Sequence, residues 1–181
     1  MKVELEVMKR SLYSYALPLL LLTACATPEA PADQPSPLKA IALDSSVAIV
    51  TGQTVYVPIY SHIYIWERSR TLDLTATLSV RNTDPKHSII LTAVDYYDNN
   101  GKLIRNYLAQ PVELGSMVAT DFLVNQNDTR GGAGASFVVE WVAQQQVTPP
   151  VIEAVMVNAG GNQGISFVSP GRVIQTRSSS E

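Results

Sequence analysis

The chain has only two histidines among its 181 residues, which limits the chemistry that a histidine-based site could perform. His62 directly follows Ser61, and a strand sends adjacent side chains to opposite faces, so these two residues do not form a nucleophile–base pair. His87 lies in a predicted turn, where we expect its ring to be solvated. Neither histidine has carboxylates at a zinc-binding spacing. The sequence therefore predicts no catalytic residue, no metal site and no cofactor.

Oxygen-bearing side chains gather near one predicted hairpin turn, at Asp95, Asp98, Asn99 and Asn100. Such ligands suit calcium, but the spacing of a calcium loop is absent, and Asp and Asn are also the ordinary residues of a tight turn. We therefore interpret the turn that ends at Gly101 as structural. If Asp95 is buried, it needs a cationic partner, for which Arg81 and Arg105 are the candidates.

Two glycine-rich segments, 131–134 and 160–164, could suggest phosphate-binding loops. No helix pattern follows either segment, so the helix N-terminus that makes such loops bind anions is missing. We expect both to be turns between strands. Glu140 and Glu153 interrupt apolar strands, and we expect them to face solvent rather than act as an acid–base pair.

The single cysteine, Cys25, lies at the end of an N-terminal targeting segment. Lys9 and Arg10 precede an apolar run over residues 11–22, which is too short to span a bilayer because a span needs about 20 apolar residues. Leu22-Thr23-Ala24-Cys25 resembles the lipobox of bacterial lipoproteins, a resemblance that implies acylation of Cys25. The alternative is an ordinary secretory signal, since Ala24-Cys25-Ala26 also fits a small-residue cleavage site.

These features predict four segments along the chain. Residues 1–24 form a lipoprotein signal peptide, and residues 25–43 form a Pro-rich flexible tether. Residues 44–176 form the folded domain, and residues 177–181 form a frayed tail.

The stretch from Thr54 to Trp66 alternates between two kinds of side chain, as expected for a strand. One face is mainly aliphatic, and the other carries Tyr56, Tyr60, His62, Tyr64 and Trp66. A single strand of this length would be unusually long, so we predict a break near Pro58 or Ser61, with the two halves in different sheets. The aromatic side chains either close the ends of the core or form a binding face.

Most of the remaining domain also alternates with period two. Leu72, Leu74, Ala76, Leu78 and Val80 are separated by polar residues, and other short apolar runs are separated by turn signals. No helical period occurs after residue 25. We predict an all-β fold, an antiparallel β-sandwich with an immunoglobulin-like arrangement, and a small barrel is the alternative.

Several short motifs resemble those of a bacterial lipoprotein family, domain-of-unknown-function family 3124. They are Val57-Pro58-Ile59-Tyr60-Ser61-His62-Ile63-Tyr64, Arg81-Asn82-Thr83-Asp84, Val94-Asp95-Tyr96-Tyr97-Asp98, Val138-Val139-Glu140-Trp141, Ile152-Glu153-Ala154-Val155-Met156 and Gln163-Gly164-Ile165-Ser166-Phe167. The resemblance covers residues 53–174 and implies a secreted, lipid-anchored domain. It implies no activity.

The formal charge of −3, without a dense basic patch, argues against nucleic acid as a partner. We expect a protein of the bacterial cell envelope, anchored to the membrane through lipidated Cys25 and facing the periplasm or the outer membrane. We expect a non-catalytic domain that binds an envelope protein or a glycan. The alternative is a hydrolytic or other enzyme whose site is built from scattered Asp, Glu and His residues.

Overall fold

The computed structural model describes residues 38–43, 48–160 and 164–178. The predicted signal peptide, Cys25 and most of the tether lie outside these ranges. In the described ranges, no helix is long and apolar enough to cross a membrane.

Thirteen strands and one short 3₁₀ segment, Thr129–Gly134, make up the described part of the chain. In chain order the strands are β1 (Lys39–Ala40), β2 (Thr51–Ile59), β3 (His62–Ile65), β4 (Glu67–Asp73), β5 (Thr75–Arg81), β6 (Ile89–Tyr97), β7 (Leu103–Asn106), β8 (Val112–Leu114), β9 (Ala119–Val124), β10 (Ala135–Ala143), β11 (Val151–Asn158), β12 (Ile165–Pro170) and β13 (Arg172–Ser178).

Eleven of the strands form two antiparallel sheets that share one core, and β3 and β4 form a separate two-stranded sheet. The larger sheet has the order β1-β8-β6-β10-β2-β13, with β7 also paired to β6, and the smaller has the order β12-β11-β5-β9. Apolar side chains from both sheets meet in a single buried cluster that includes Trp141, Phe137, Leu78 and Met156. The prediction of an all-β antiparallel sandwich is confirmed, while the immunoglobulin-like arrangement of strands stays a prediction.

Strand β5 shows why the period-two pattern predicts the core. Ala76, Leu78 and Val80 are fully buried, whereas Thr75, Thr77 and Ser79 on the other face stay partly exposed. Each buried branched or aliphatic side chain contributes about 1.5–3 kcal/mol relative to an exposed one, so alternation of this kind decides which face turns inward.

The long aromatic and aliphatic stretch breaks where the sequence predicts. Strand β2 ends at Ile59, and β3 begins at His62 in a separate two-stranded sheet with β4. Pro58 still pairs with Ser136 of β10, but the pairing of β13 with β2 begins only at Tyr56. The proline therefore lies where one side of β2 has no partner, so its missing N–H costs no sheet hydrogen bond.

The folded region extends slightly beyond the segments that the sequence indicates. Strand β1 lies inside the predicted tether, where Lys39 forms a 3.0 Å ion pair with Glu113 of β8. Strand β13 runs to Ser178, and Arg177 places its guanidinium 3.2 Å from Glu140. Strand β1 lies at one edge of the larger sheet, and residues 177–178 lengthen the strand at its other edge. At both edges free backbone groups are available for pairing.

Candidate functional site

The structure divides the predicted aromatic face into two parts. Tyr56 is half-buried in β2, between Val138 of β10 and Arg172 of β13. Tyr60 packs against the core, and its ring meets that of Phe167 edge to face at 5.7 Å. Tyr60 therefore contributes to core packing, and Tyr56 lies in β2 of the larger sheet, outside the hairpin that carries the other three aromatic residues.

The second part of the aromatic face is the β3–β4 hairpin. His62 is half-buried, and its ring contacts that of Tyr64 edge to face at 5.6 Å. Tyr64 is 50% exposed and Trp66, at the tip, is 90% exposed. We call the segment from Tyr64 to Arg70 the hairpin tip.

The backbone of the hairpin tip is irregular. Tyr64 pairs with Thr71, but the next residue, Ile65, pairs with Glu67, so residues 68–70 bulge from the ladder. Trp66 has a φ of 64°, in the left-handed region. Residues other than Gly, Asn and Asp rarely adopt this backbone conformation, and such strain often occurs at functional sites. A bulge of this kind re-aims side chains, and here it leaves Trp66 pointing away from the core.

Polar contacts hold the hairpin tip together. The guanidinium carbon of Arg70 lies 5.3 Å from the centre of the Trp66 ring, within range of a cation–π interaction. Arg70 also lies 3.6 Å from Glu67, whose carboxylate accepts a 2.8 Å hydrogen bond from Ser69. Trp, Tyr and Arg are the residue types most enriched among binding anchors. The hairpin tip therefore offers a large exposed ring that its neighbours already orient.

A second polar cluster lies at the turn after β5. Asn82 is buried and donates from its amide nitrogen to three carbonyl oxygens, those of His87, Leu114 and Gly115. The buried carboxylate of Asp84 accepts hydrogen bonds from the backbone N–H groups of Thr148, Lys86 and His87. These bonds, that of Thr148 first, lower the pKa of Asp84 to about 2. The main role of both residues is to fix this turn.

The position of His87 differs from the expected one. Its Nδ1 lies 3.3 Å from Oδ1 of Asp84, and its side chain is only 35% exposed, so the ring is half-buried rather than solvated. The sequence does carry a signal, the Asp-x-x-His spacing of Asp84 and His87 within a turn. That spacing is too common to reveal the contact without the structure.

Asp95 is half-buried, but neither expected partner reaches it, so that expectation is wrong. Arg81 pairs with Glu153 at 2.7 Å, and Arg105 instead stacks on Tyr107. Burial, followed by the nearby charge of Glu140, raises the pKa of Asp95, while a hydrogen bond from Tyr97 opposes the rise. Arg177, a cation of the larger sheet, pairs with Glu140.

The predicted turns have the geometry that their residues indicate. Gly101 has a φ of 77°, and Oδ1 of Asp98 accepts hydrogen bonds from the backbone N–H groups of Asn100 and Lys102. These bonds, that of Lys102 first, lower the pKa of Asp98. Gly132 also has a φ of 77°, and its carbonyl accepts bonds from Ser61. The turn at Gly101 and the 131–134 segment both join strands, and the carboxylate of Asp98 is used by its own turn. Residues 161–163 of the other glycine-rich segment lie outside the described residues.

The residues that could form an enzyme site are distributed over the fold. His62 lies in the β3–β4 hairpin, Glu140 in the larger sheet and Glu153 in the smaller one. Among the described residues, Asp84 lies within ion-pair distance of His87, and Asp95 lies near Glu140. Over residues 38–43, 48–160 and 164–178, no three His, Cys, Asp or Glu side chains are close enough to hold a metal ion.

The fold and the hairpin define a class, an all-β sandwich domain with an exposed aromatic hairpin. Within that class, the sequence profile of the family described as "Protein of unknown function (DUF3124)" matches residues 52–174, and the chain belongs to this family. The match extends from β2 into β13, so it covers the sandwich apart from β1 and the end of β13.

Comparison with other known proteins adds little to this assignment. No curated protein matches the chain. A solved protein described as "Crystal Structure of Thermotoga maritima 1070" is 16% identical, with 66% of this chain and 92% of that chain covered, at a TM-score of 0.40. A similarity at that level carries no argument about fold or function.

Proposed function

We propose that this protein is a lipid-anchored, non-catalytic binding domain of the bacterial cell envelope, and that its hairpin tip docks onto another envelope protein. Lipidated Cys25 holds the domain at the membrane, facing the periplasm or the outer membrane. The Pro-rich tether that follows gives the domain reach.

The observation that carries the binding role is the exposure of Trp66. Trp66 is 90% exposed, whereas Tyr64 beside it is 50% exposed. The backbone of Trp66 also has a strained positive φ. An exposed tryptophan buries little apolar surface, so it adds little to the stability of the isolated domain. A ring held in this way by Arg70 fits the pocket of a partner protein, because anchors of this type carry most of the energy of an interface.

A protein partner is favoured over a glycan by the charges around the ring. Glu67, Arg68 and Arg70 place both signs within one short segment. Charged residues of both signs around an aromatic anchor give register and specificity against a complementary protein surface. A glycan platform instead needs flat rings side by side, whereas His62 and Tyr64 meet edge to face with 77° between their planes.

Affinity capture from detergent-solubilised envelopes of the native bacterium tests this proposal. We expect one protein to be recovered in stoichiometric amount with the wild type and lost with Trp66→Ala. Val168→Ala is the matched control, because Val168 is also an exposed apolar residue (56%) but lies in β12. Equal recovery with Trp66→Ala contradicts the proposal, and so does retention of glycan without protein.

A further inference from the structure

A cleft of about 350 Å³ lies among loops and strand ends of the larger sheet, and none of the hairpin residues lines it. Its walls come from the segment after β1, the residues just before and in β6, strand β8 and the segment after β10. This volume is at the lower end of the range for small-molecule sites. The cleft is therefore large enough for a single sugar or a short peptide.

One wall of the cleft is organised by the contact between Asp84 and His87. The Asp84 side chain is 8% exposed, and three backbone N–H groups fix its carboxylate. Nδ1 of His87 is fully buried and faces this carboxylate at 3.3 Å, although it makes no well-aligned hydrogen bond. Because the ring is 35% exposed while Nδ1 is sealed, Nε2 is the ring nitrogen left to meet a ligand.

The opposite wall carries a carboxylate whose charge is already compensated. Glu113 accepts a 3.0 Å hydrogen bond from the Lys39 ammonium and a 2.9 Å bond from the Ser88 hydroxyl. These contacts, that of Lys39 first, hold the pKa of Glu113 below its usual range, so it stays ionised. Lys86 also lines the cleft, and within the described ranges it has no carboxylate partner. Among the described lining residues, Lys86 is therefore the cation left to meet a ligand.

The rest of the lining combines amides with aliphatic side chains. Gln144 and Gln145 are exposed and offer both hydrogen-bond donors and acceptors. Ile41, Leu43 and Ile90 supply apolar surface. The lining is therefore mainly polar, which suits a polar ligand.

We propose that this cleft binds a small molecule bearing a carboxylate or phosphate group, with Lys86 meeting the anion, Nε2 of His87 facing the ligand and the aliphatic side chains touching the carbon skeleton. The Asp84 carboxylate faces Nδ1 of His87 at 3.3 Å, which leaves Nε2 as the ring nitrogen on the ligand side. This site is separate from the hairpin tip and does not depend on it.

Titration of the ¹⁵N-labelled full chain with three probes tests the inference by NMR. The probes are inorganic phosphate, glucuronate and neutral glucose. We expect saturable shifts at the amides of His87, Gln144 and Gln145 with glucuronate or phosphate, and none with glucose. Whichever anion binds more tightly identifies the headgroup chemistry.

Two variants make the test specific. Lys86→Ala should weaken binding by about tenfold or more, since a charge-assisted hydrogen bond is lost. Lys102→Ala is the matched control, because this exposed lysine lies in the β6–β7 turn and should leave binding unchanged. Both are surface changes, so the domain stays folded.

Three results would overturn the inference: no saturable shift with either anion, equal binding of glucose, or equal weakening by both lysine variants. Loss of partner capture on Trp66→Ala has no bearing on these outcomes. Failure of the cleft and failure of the hairpin tip are therefore distinguishable.

Discussion

The guanidinium carbon of Arg70 lies 5.3 Å from the centre of the Trp66 ring, at the far end of a hairpin that belongs to neither large sheet. This contact restrains the ring before any partner arrives. A side chain that is already ordered loses less conformational entropy on binding, which is worth about 0.5–1.5 kcal/mol for each residue immobilised in advance. The proposed docking of the hairpin tip would therefore carry a smaller entropic cost.

The first prediction separates core aromatic residues from surface ones. Tyr60→Ala should lower the free energy of unfolding by more than about 2 kcal/mol, because the ring packs on the core and on Phe167. Trp66→Ala should change it by no more than about 0.5 kcal/mol. Urea unfolding followed by circular dichroism measures both. A Trp66→Ala variant that unfolds the domain would place the ring in the core and exclude a binding role.

The second prediction concerns the pH dependence of stability and Asp84. The pKa of Asp84 is lowered to about 2 in the folded state, from 3.8 ordinarily. Folding therefore favours the ionised carboxylate. Its contribution to the free energy of unfolding is present above pH 4 and is lost as the pH falls towards 2. Asp84→Asn should remove this part of the pH dependence.

Unfolding free energies of the wild type and Asp84→Asn, measured from pH 2 to pH 6, check that expectation. Asp98, Glu113 and Asp128 also have lowered pKa values, so the wild type minus the variant is the informative quantity. That difference should shrink steadily below pH 4. A difference that is constant with pH would show that the carboxylate charge of Asp84 does not contribute.

How far the sequence predicts the fold can be seen in three places. The alternation of β5, the Asp98–Gly101 turn and the break after Ile59 follow from local residue types, because period, positive φ and proline each act within a few residues. The pairing of β13 with β2 could not be predicted, since it joins residues more than a hundred positions apart and depends on which edge is free.

The candidate sites are less predictable for the same reason. For the aromatic side chains, the sequence offers a binding face as one of two alternatives. The exposure of Trp66 follows from the bulge after Tyr64, which no local pattern predicts. The setting of Asp84 depends on the backbone N–H of Thr148, which is remote in sequence. No local pattern contains that contact.

The third prediction tests the turn between β6 and β7. Gly101→Val should destabilise the domain, because a β-branched residue at a φ of 77° is strained. A Cβ at this position meets no atom within 4 Å, so the cost arises from the backbone alone. Gly101→Asn is the matched control and should cost much less, since Asn tolerates this region. Equal melting temperatures for both variants would contradict the account.

The fourth prediction concerns membrane attachment. Cys25→Ser should move the protein from the membrane fraction to the soluble fraction and abolish incorporation of labelled fatty acid, because the thiol is the only one in the chain. Cell fractionation with radiolabelled palmitate measures both. Absence of label in the wild type, with unchanged fractionation of the variant, would argue for an ordinary secretory signal.

The most direct test of the binding role is site-specific photo-cross-linking in intact cells, with a photoreactive phenylalanine analogue placed at Trp66, at Tyr64 or at Val168. Positions 64 and 66 lie on the hairpin tip, whereas position 168 lies on β12 and is about as exposed as position 64. We predict that the probe at 66, and more weakly at 64, cross-links to one envelope protein, and that the probe at 168 does not. The same adduct from position 168, or none from position 66, would contradict the account.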